Sequence, residues 1–305
     1  MPQQPLILDI KGNSLDDGPG IRSVVFFKGC PLSCVWCHNP ESRRAAAEIS
    51  HDGRECIGCF VCTKACAENA ISPTNPHFID RGRCTLCFRC IDACPTGALS
   101  RVGTALSIES ILEKVRVDIP FYATSGGGVT LSGGEPTISL PFLSKLLQAL
   151  KSEKIHTLVE TCGFFNLEQF VKLAYQHIDC IYFDIKLFNE ESHIQYCGVS
   201  NRVILKNFTE LYSLYRGGGV EVLPRIPLVP DISATEENIR SIADFLASQG
   251  VRTAQVLPYN PLWPEKEAKI GIQSPQRPHA MNTWMPAGDI RRCQEILHDE
   301  GIDCI

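Results

Sequence analysis

Eleven of the sixteen cysteines in this 305-residue chain fall between Cys30 and Cys94, and that crowding limits what the first third of the chain can become. A short segment so rich in thiols is held by disulfides or by metal, because it is too small to rely on an apolar core. Disulfide scaffolds are characteristically short and exported. Here the amino terminus, Met1 to Asp9, has no basic segment followed by a long apolar run, and no stretch of about 18 uninterrupted apolar residues occurs anywhere. A cytosolic location is therefore expected, and the thiols read as metal ligands. Net charge is −5 with scattered basic residues, which leaves no electrostatic footprint for nucleic acid or an anionic membrane.

The cysteines form three groups. Cys30, Cys34 and Cys37 share one loop. Cys56-x2-Cys59-x2-Cys62-x3-Cys66 follows, and its spacing returns 28 residues later as Cys84, Cys87, Cys90 and Cys94, with Pro95 behind it. The repeat marks 51–100 as a duplicated module inserted into a larger unit built from 1–50 and 101–305.

That larger unit alternates apolar, β-rich runs with stretches of helical period. Strands are expected at 22–28, 128–132, 155–160, 178–184, 219–226 and 251–257, and helices at 107–117, 139–153, 166–177, 200–215, 235–249 and 288–300. The alternation predicts an α/β fold with a parallel sheet. Cys30, Gly133, Thr161, Asp184, Arg225 and Tyr259 all fall at or just past predicted strand ends. Motifs from six strands meeting at one site favour a curved, barrel-like sheet over an open one.

Three thiolates on the loop Cys30-Pro31-Leu32-Ser33-Cys34-Val35-Trp36-Cys37 can bind three irons of a [4Fe–4S] cube and leave the fourth open to substrate. Zinc is the rival, but a structural zinc site takes four ligands and His38 is too close in sequence to serve comfortably. The C-x3-C-x2-C spacing after a first strand resembles the radical S-adenosylmethionine (SAM) superfamily. Asp16-Asp17-Gly18-Pro19-Gly20-Ile21-Arg22, Phe26-Phe27-Lys28-Gly29-Cys30 and Trp36-Cys37-His38-Asn39-Pro40-Glu41 narrow the resemblance to the glycyl radical enzyme activating enzymes, such as the pyruvate formate-lyase activating enzyme. The fold this implies is a partial (β/α)6 TIM-like barrel. The activity it implies is that of an oxidoreductase cleaving SAM to a 5′-deoxyadenosyl radical, with Cys30, Cys34, Cys37 and Lys186 as catalytic residues.

The paired four-cysteine runs resemble those of two-cluster ferredoxins, in which the last cysteine of each run crosses to the other cluster. This assigns Cys56, Cys59, Cys62 and Cys94 to one [4Fe–4S] cluster and Cys84, Cys87, Cys90 and Cys66 to a second, three clusters in all. Ala67 stands where a proline often follows the fourth cysteine. The insert reads as an electron relay, with a mere structural staple as the alternative.

Gly126 to Pro136 ends a predicted strand in a glycine-rich turn without the Gly-Lys-Ser/Thr of a phosphate loop or a Gly-x-Gly-x-x-Gly spacing. By the resemblance, Gly133, Gly134 and Glu135 meet the SAM amino group, and Trp36, Glu160, Asp184, Lys186 and Arg225 complete the cofactor pocket. A monovalent cation is expected among Glu160, Thr161, the Tyr182 carbonyl and Asp184, although the family often has Asp at the Glu160 position. Arg225 is expected to reach the SAM carboxylate or an acid such as Glu135, a surface ion pair being the alternative. Asn260 stands where the family often has histidine and cannot titrate as one. Cys162, Cys180 and Cys197 read as buried thiols.

The resemblance thus implies activation of a partner glycyl radical enzyme by hydrogen abstraction from one backbone glycine, in an oxygen-sensitive protein suited to an anaerobic host. A radical SAM enzyme with another peptide or small-molecule substrate is the second reading, and a plain iron–sulfur electron carrier the third. A flavodoxin or ferredoxin-type donor and a monomeric state are expected, although spacing and composition fix neither.

Overall fold

The computed structural model describes residues 4–272 and 278–305, so Met1–Gln3 of the amino-terminal reading lie outside the described residues. The strands are β1 (Leu6–Ser14), β2 (Arg22–Lys28), β3 (Glu48–His51), β4 (Leu99–Val102), β5 (Thr104–Ala105), β6 (Gly128–Gly133), β7 (His156–Thr161), β8 (Cys180–Asp184), β9 (Glu221–Leu228), β10 (Thr253–Pro258) and β11 (Asp303–Cys304). Nine form one sheet in the order β11-β10-β9-β8-β7-β6-β2-β1-β5. From β2 across to β11 every pairing is parallel, while β1 runs antiparallel to β2 and to β5.

The helices are α1 (Val61–Ala65), α2 (Arg89–Asp92), α3 (Ile108–Arg116), α4 (Ile119–Ser125), α5 (Leu140–Ser152), α6 (Leu167–Leu173), α7 (Glu190–Cys197), α8 (Arg202–Arg216), α9 (Glu236–Ser248), α10 (Pro264–Lys269) and α11 (Ala287–Asp299). Their starts follow local chemistry. Ser107, Asn166, Asn189 and Thr235 each accept a hydrogen bond from the amide three residues on, opening α3, α6, α7 and α9. Gly198 closes α7 at φ +85°, a conformation that favours glycine.

Period-two alternation gives the sheet two unlike faces. Val129, Leu131, Val159, Ile181, Phe183 and Val222 join the main core with Leu143, Leu147, Phe208 and Ile239 of the helices. The opposite set, Leu158, Cys180, Tyr182 and Leu223, forms a small separate apolar cluster. On that same face, toward the carboxyl ends of the strands, come Ser132, Glu160, Asp184 and Arg225. Arg22, fully buried, lies beneath them and donates to Thr130 Oγ1 (2.6 Å) and to the Val129 carbonyl (2.9 Å).

The six expected strands and six expected helices all form, with strand boundaries shifted by two residues or fewer. One placement needs correcting: β9 continues three residues past Arg225 to Leu228, so Arg225 sits inside its strand and reaches the site by the length of its side chain. The antiparallel β1, the weakly amphipathic α7 and the short, charged α10 were not anticipated.

Residues 52–98 lie between β3 and β4, which pair antiparallel from Glu48↔Val102 to His51↔Leu99. Ile49, Ile71, Ile79 and Leu99 pack with Cys62 and Cys90 in a core apart from the main one. The 28-residue repeat recurs as geometry, since Phe60 before α1 and Phe88 before α2 both take positive φ, +54° and +60°.

Candidate active site

The loop after β2 is fixed by its backbone. Gly29 N donates to the Ser42 carbonyl (2.6 Å) and Cys30 N to that of Arg43 (3.1 Å), closing the loop on itself. Ser33 N and Val35 N donate to the Cys197 and Tyr196 carbonyls (2.9 and 3.0 Å), tying it to the end of α7. Arg43 adds a bond to the Cys34 carbonyl (2.7 Å). Cys34 is buried, and Cys30 and Cys37 are half-buried. Two thiols read from sequence as inert core residues touch this loop. Cys162 hydrogen-bonds Cys30 and lowers its pKa against the effect of burial, and Cys197 hydrogen-bonds Cys34, which with burial is raised well above the usual thiol value. Cys162 was legible as the residue after Thr161 at a strand end; nothing local in the sequence pointed to Cys197.

The donor chemistry of this loop fits an iron–sulfur cluster. Three thiols come from one short segment, and the two further thiols against it, Cys162 and Cys197, sit on β7's following turn and at the end of α7, each paired to a different cysteine of the loop. Among the described residues no three His, Cys, Asp or Glu side chains gather as tightly as a single metal ion requires.

The turn after β6 locks to the same loop. Gly134 N donates to the Phe27 carbonyl and Glu135 N to that of Gly29, both at 2.8 Å. The fully buried Glu135 carboxylate accepts from Thr137 N (3.1 Å), Thr137 Oγ1 (2.7 Å), Thr161 Oγ1 (2.9 Å) and Cys162 N (2.7 Å). It thereby joins the ends of β6 and β7.

Arg225 does not pair with Glu135, nor is it a surface residue. Its Nε donates to Asp184 Oδ1 (2.8 Å) and its Nη1 to Glu160 Oε1, with the guanidinium 5.3 Å from the Tyr182 ring centroid. Lys186 Nζ holds Asp184 Oδ2 (2.9 Å), and Ser132 Oγ donates to Glu160 Oε2 (2.5 Å). Burial disfavours the charges of Asp184, Lys186 and Arg225, but their pairing prevails: Asp184 lies below the usual carboxylate range through Arg225 and Lys186, and both cations are raised. The cation expected among Glu160, Thr161 and Asp184 would compete with Arg225 for the two carboxylates, and Thr161 Oγ1 already serves Glu135. Ser132 was missed, although it directly precedes Gly133.

Trp36 packs into the main core, 5 % exposed, which leaves little of its ring for a ligand. His38 stands 5.8 Å, centroid to centroid, from Tyr259, just past β10, and burial lowers its pKa to about 4. Lys266 of α10 donates to the His38 carbonyl (2.9 Å) and to Asn39 Oδ1 (3.0 Å). The loop after the first parallel strand therefore meets the segment after the sixth.

In the insert, one cavity is lined by Cys56, Cys59, Cys62 and Cys94. Cys66, Cys84 and Cys87 all act on Cys90, whose pKa burial raises to about 11. The first run thus has Cys94, the last cysteine of the second, on the wall of its cavity.

This fold and this thiol loop define an iron–sulfur protein of the α/β class. A family model described as a 4Fe-4S single cluster domain matches residues 16–204. The isethionate sulfite-lyase activating enzyme of Oleidesulfovibrio alaskensis is 39 % identical over 88 % of this chain and 88 % of its own length. The trans-4-hydroxy-L-proline dehydratase activating enzyme of Clostridioides difficile is 38 % identical over 87 % and 88 %. A radical SAM methyltransferase from Sphaerobacter thermophilus, 13 % identical, shares the fold with a TM-score of 0.54 across 100 % of this chain and 77 % of that one. The chain belongs to the glycyl radical enzyme activating enzymes, and its activity is the radical SAM activation of a glycyl radical enzyme partner. Among the described residues no helix is long and apolar enough to cross a membrane.

Proposed function

We propose that SAM binds over the Cys30–Cys34–Cys37 loop at the carboxyl ends of the parallel strands, within a partial (β/α)6 barrel formed by 1–50 and 101–305. When bound, the site cluster supplies the electron that splits SAM into methionine and a 5′-deoxyadenosyl radical, which removes a hydrogen atom from a glycine Cα of the partner. The observation that carries this reading is the convergence of the thiol loop, the Gly133–Glu135 turn and the Glu160–Asp184–Lys186–Arg225 quartet on one end of the sheet.

The chain's own residues divide the work. The quartet is neutral as a set, while Glu135 adds one buried negative charge beside the cysteine loop, complementary to the net positive charge of SAM. Gly133 and Gly134 allow close approach and present carbonyls. Lys186 and Arg225 are the cations within reach of the SAM carboxylate. Strand order supports curvature: a doubly wound sheet reverses at a switch point, whereas here β2 and β6 to β10 follow in sequence. Contact between the loops after β2 and β10 supports it too.

We further read 51–100 as a ferredoxin-like insert holding two [4Fe–4S] clusters, each completed by the other run's last cysteine, which makes three clusters in the protein. The pairing of β3 with β4 at its neck and the grouping of the cysteines support this. The insert relays electrons from a flavodoxin or ferredoxin-type donor, and the working unit is a monomer.

The test is anaerobic reconstitution with iron and sulfide, then SAM, reductant and a glycine-loop peptide deuterated at its glycine. Deuterium in the 5′-deoxyadenosine supports the reading. Unlabelled product in the presence of the full partner protein would direct the chemistry to another substrate, and no product from loaded protein would overturn it.

A further inference from the structure

Helix α10 carries four charges in six residues, and each is used between two bodies. Toward the core, Lys266 holds the His38 carbonyl and Asn39 and lies 3.5 Å from Glu41. The nearly buried Glu267 pairs with Arg43 (3.3 Å), the residue that also holds the Cys34 carbonyl. Toward the insert, Lys269 pairs with Asp52 (2.7 Å) and Glu265 with Arg54 (3.1 Å), both just ahead of Cys56. Arg81, three residues before Cys84, spans from the Ile49 carbonyl (3.0 Å) to the Lys269 carbonyl (3.5 Å). A contact chain therefore runs from Cys34 through Arg43, Glu267 and α10 to the residues preceding both cysteine runs.

We propose that α10 fixes the cysteine-rich insert against the Cys30–Cys37 loop, with Lys269 and Glu265 as positioning residues for electron delivery between insert and site. This rests on the reading of the insert as a two-cluster relay. The two ends of the strut differ in kind. Glu267 grips Arg43 where water is largely excluded, whereas the Lys269–Asp52 pair is only half-buried and the Glu265–Arg54 pair is solvent-exposed, and each is individually weak. The insert is thus held by several small ionic contacts that must act together and that salt screens.

The experiment compares anaerobically reconstituted full-length protein with Lys269→Asp, Asp52→Lys and the charge-swapped double variant. Each single variant places like charges face to face, and the swap restores an opposite pair across 269 and 52 while removing the acid that Arg54 also holds (3.2 Å). Single-turnover 5′-deoxyadenosine formation through the protein electron donor is expected to slow by about tenfold to a hundredfold in each single variant, the scale on which rates answer small misplacements. The swap is expected to recover most of the loss. Pulsed electron paramagnetic resonance should show weakened spin coupling between reduced insert and site clusters in the single variants and its return in the swap. A Glu265→Gln variant, which creates no repulsion, should show the same weakening in milder form. Singles that keep wild-type coupling and rate would overturn the proposal, as would impaired singles that the swap fails to rescue. Iron analysis separates this from the reading beneath it, since wild-type protein that binds only one cluster's iron removes the relay itself.

Discussion

Asp184 and Arg225 are register partners on adjacent parallel strands, and Arg225 continues past Asp184 and over the Tyr182 ring to Glu160, one strand further on. One guanidinium therefore bridges two largely buried carboxylates from different strands, with Lys186 supplying the second positive charge, a geometry that a planar fork satisfies and a point charge does not. Arg225→Met leaves both acids without it. Removing one partner of a buried ion pair is expected to lower stability by about 3–5 kcal/mol, visible as a lower urea midpoint of the cluster-free protein. An unchanged midpoint would mean that Arg225 serves the ligand alone.

Among the described residues Glu135 has four donors and no salt-bridge partner. Glu135→Gln keeps the shape but replaces one oxygen with an NH2 group, which must face an N–H or O–H that is itself donating. Leaving such groups unsatisfied is expected to destabilise by about 1–3 kcal/mol. Because Glu135 joins the ends of β6 and β7, SAM affinity should fall as well, as measured by titration of the reconstituted protein. Thr137→Val, which removes one hydroxyl donor, should show a smaller loss of the same kind.

A methyl group at Gly134 would stand 2.2 Å from the Gly29 carbonyl oxygen. Backbone must move to admit it, and the backbone in question leads into Cys30. Gly134→Ala is expected to cost about 1–3 kcal/mol by overpacking and to alter how the site cluster's paramagnetic resonance signal responds to SAM. A variant whose signal shifts with SAM as the wild type's does would show that the turn has room to spare.

What the sequence made legible were elements with a period. The Val-rich parallel strands and the amphipathic helices carry their burial in every second or every third-to-fourth residue. The clusters of cysteine carry theirs in spacing. Residues whose partners are distant in sequence stayed hidden: Ser132 meets Glu160, Cys197 meets Cys34, and the charges of α10 divide between 38–43 and 52–81. Arg225 was expected to reach the SAM carboxylate or an acid such as Glu135, and the acids it meets are Asp184 and Glu160. Glu135, Glu160 and Asp184 all end or follow strands, and only the register and the side-chain reach of Arg225 decide among them. Arg22 illustrates the same limit. It stood out as part of a glycine-rich motif, yet its place beneath the site, against Thr130 and His156, depends on how β2 pairs with β6.

Iron content tests the division of the cysteines. Three [4Fe–4S] clusters amount to about twelve irons per chain. Replacing Cys30, Cys34 and Cys37 together by alanine should leave about eight, and replacing Cys59 and Cys62 should remove four from the insert while SAM still perturbs the site cluster. Exchange of Cys94 is expected to behave like loss of Cys59, because the crossing rule places it on the first cluster, and the cavity lined by Cys56, Cys59, Cys62 and Cys94 agrees. If Cys94 instead matches Cys87 in the spectra, each run holds its own cluster.

His156 offers a pH test away from the cysteine loop. Its Nδ1 lies 3.4 Å from Arg22 Nη2, so it accepts from a cation and is neutral in the fold. Burial first and the Arg22 charge second lower its pKa below 6.5. In the unfolded chain the ring takes up a proton as pH falls through about 6.5, while the folded chain resists. The unfolded state then binds more protons, and stability is lost as pH drops through that window. His156→Asn supplies an acceptor that does not titrate. The urea midpoint of the wild type should therefore fall more steeply than the variant's between about pH 7.5 and 5.5. His51 and His193, also lowered by burial, remain in both proteins and cancel in the comparison. Parallel midpoints would show that Arg22 and His156 adjust to share the proton's charge, and that the plug beneath the site is softer than its hydrogen bonds imply.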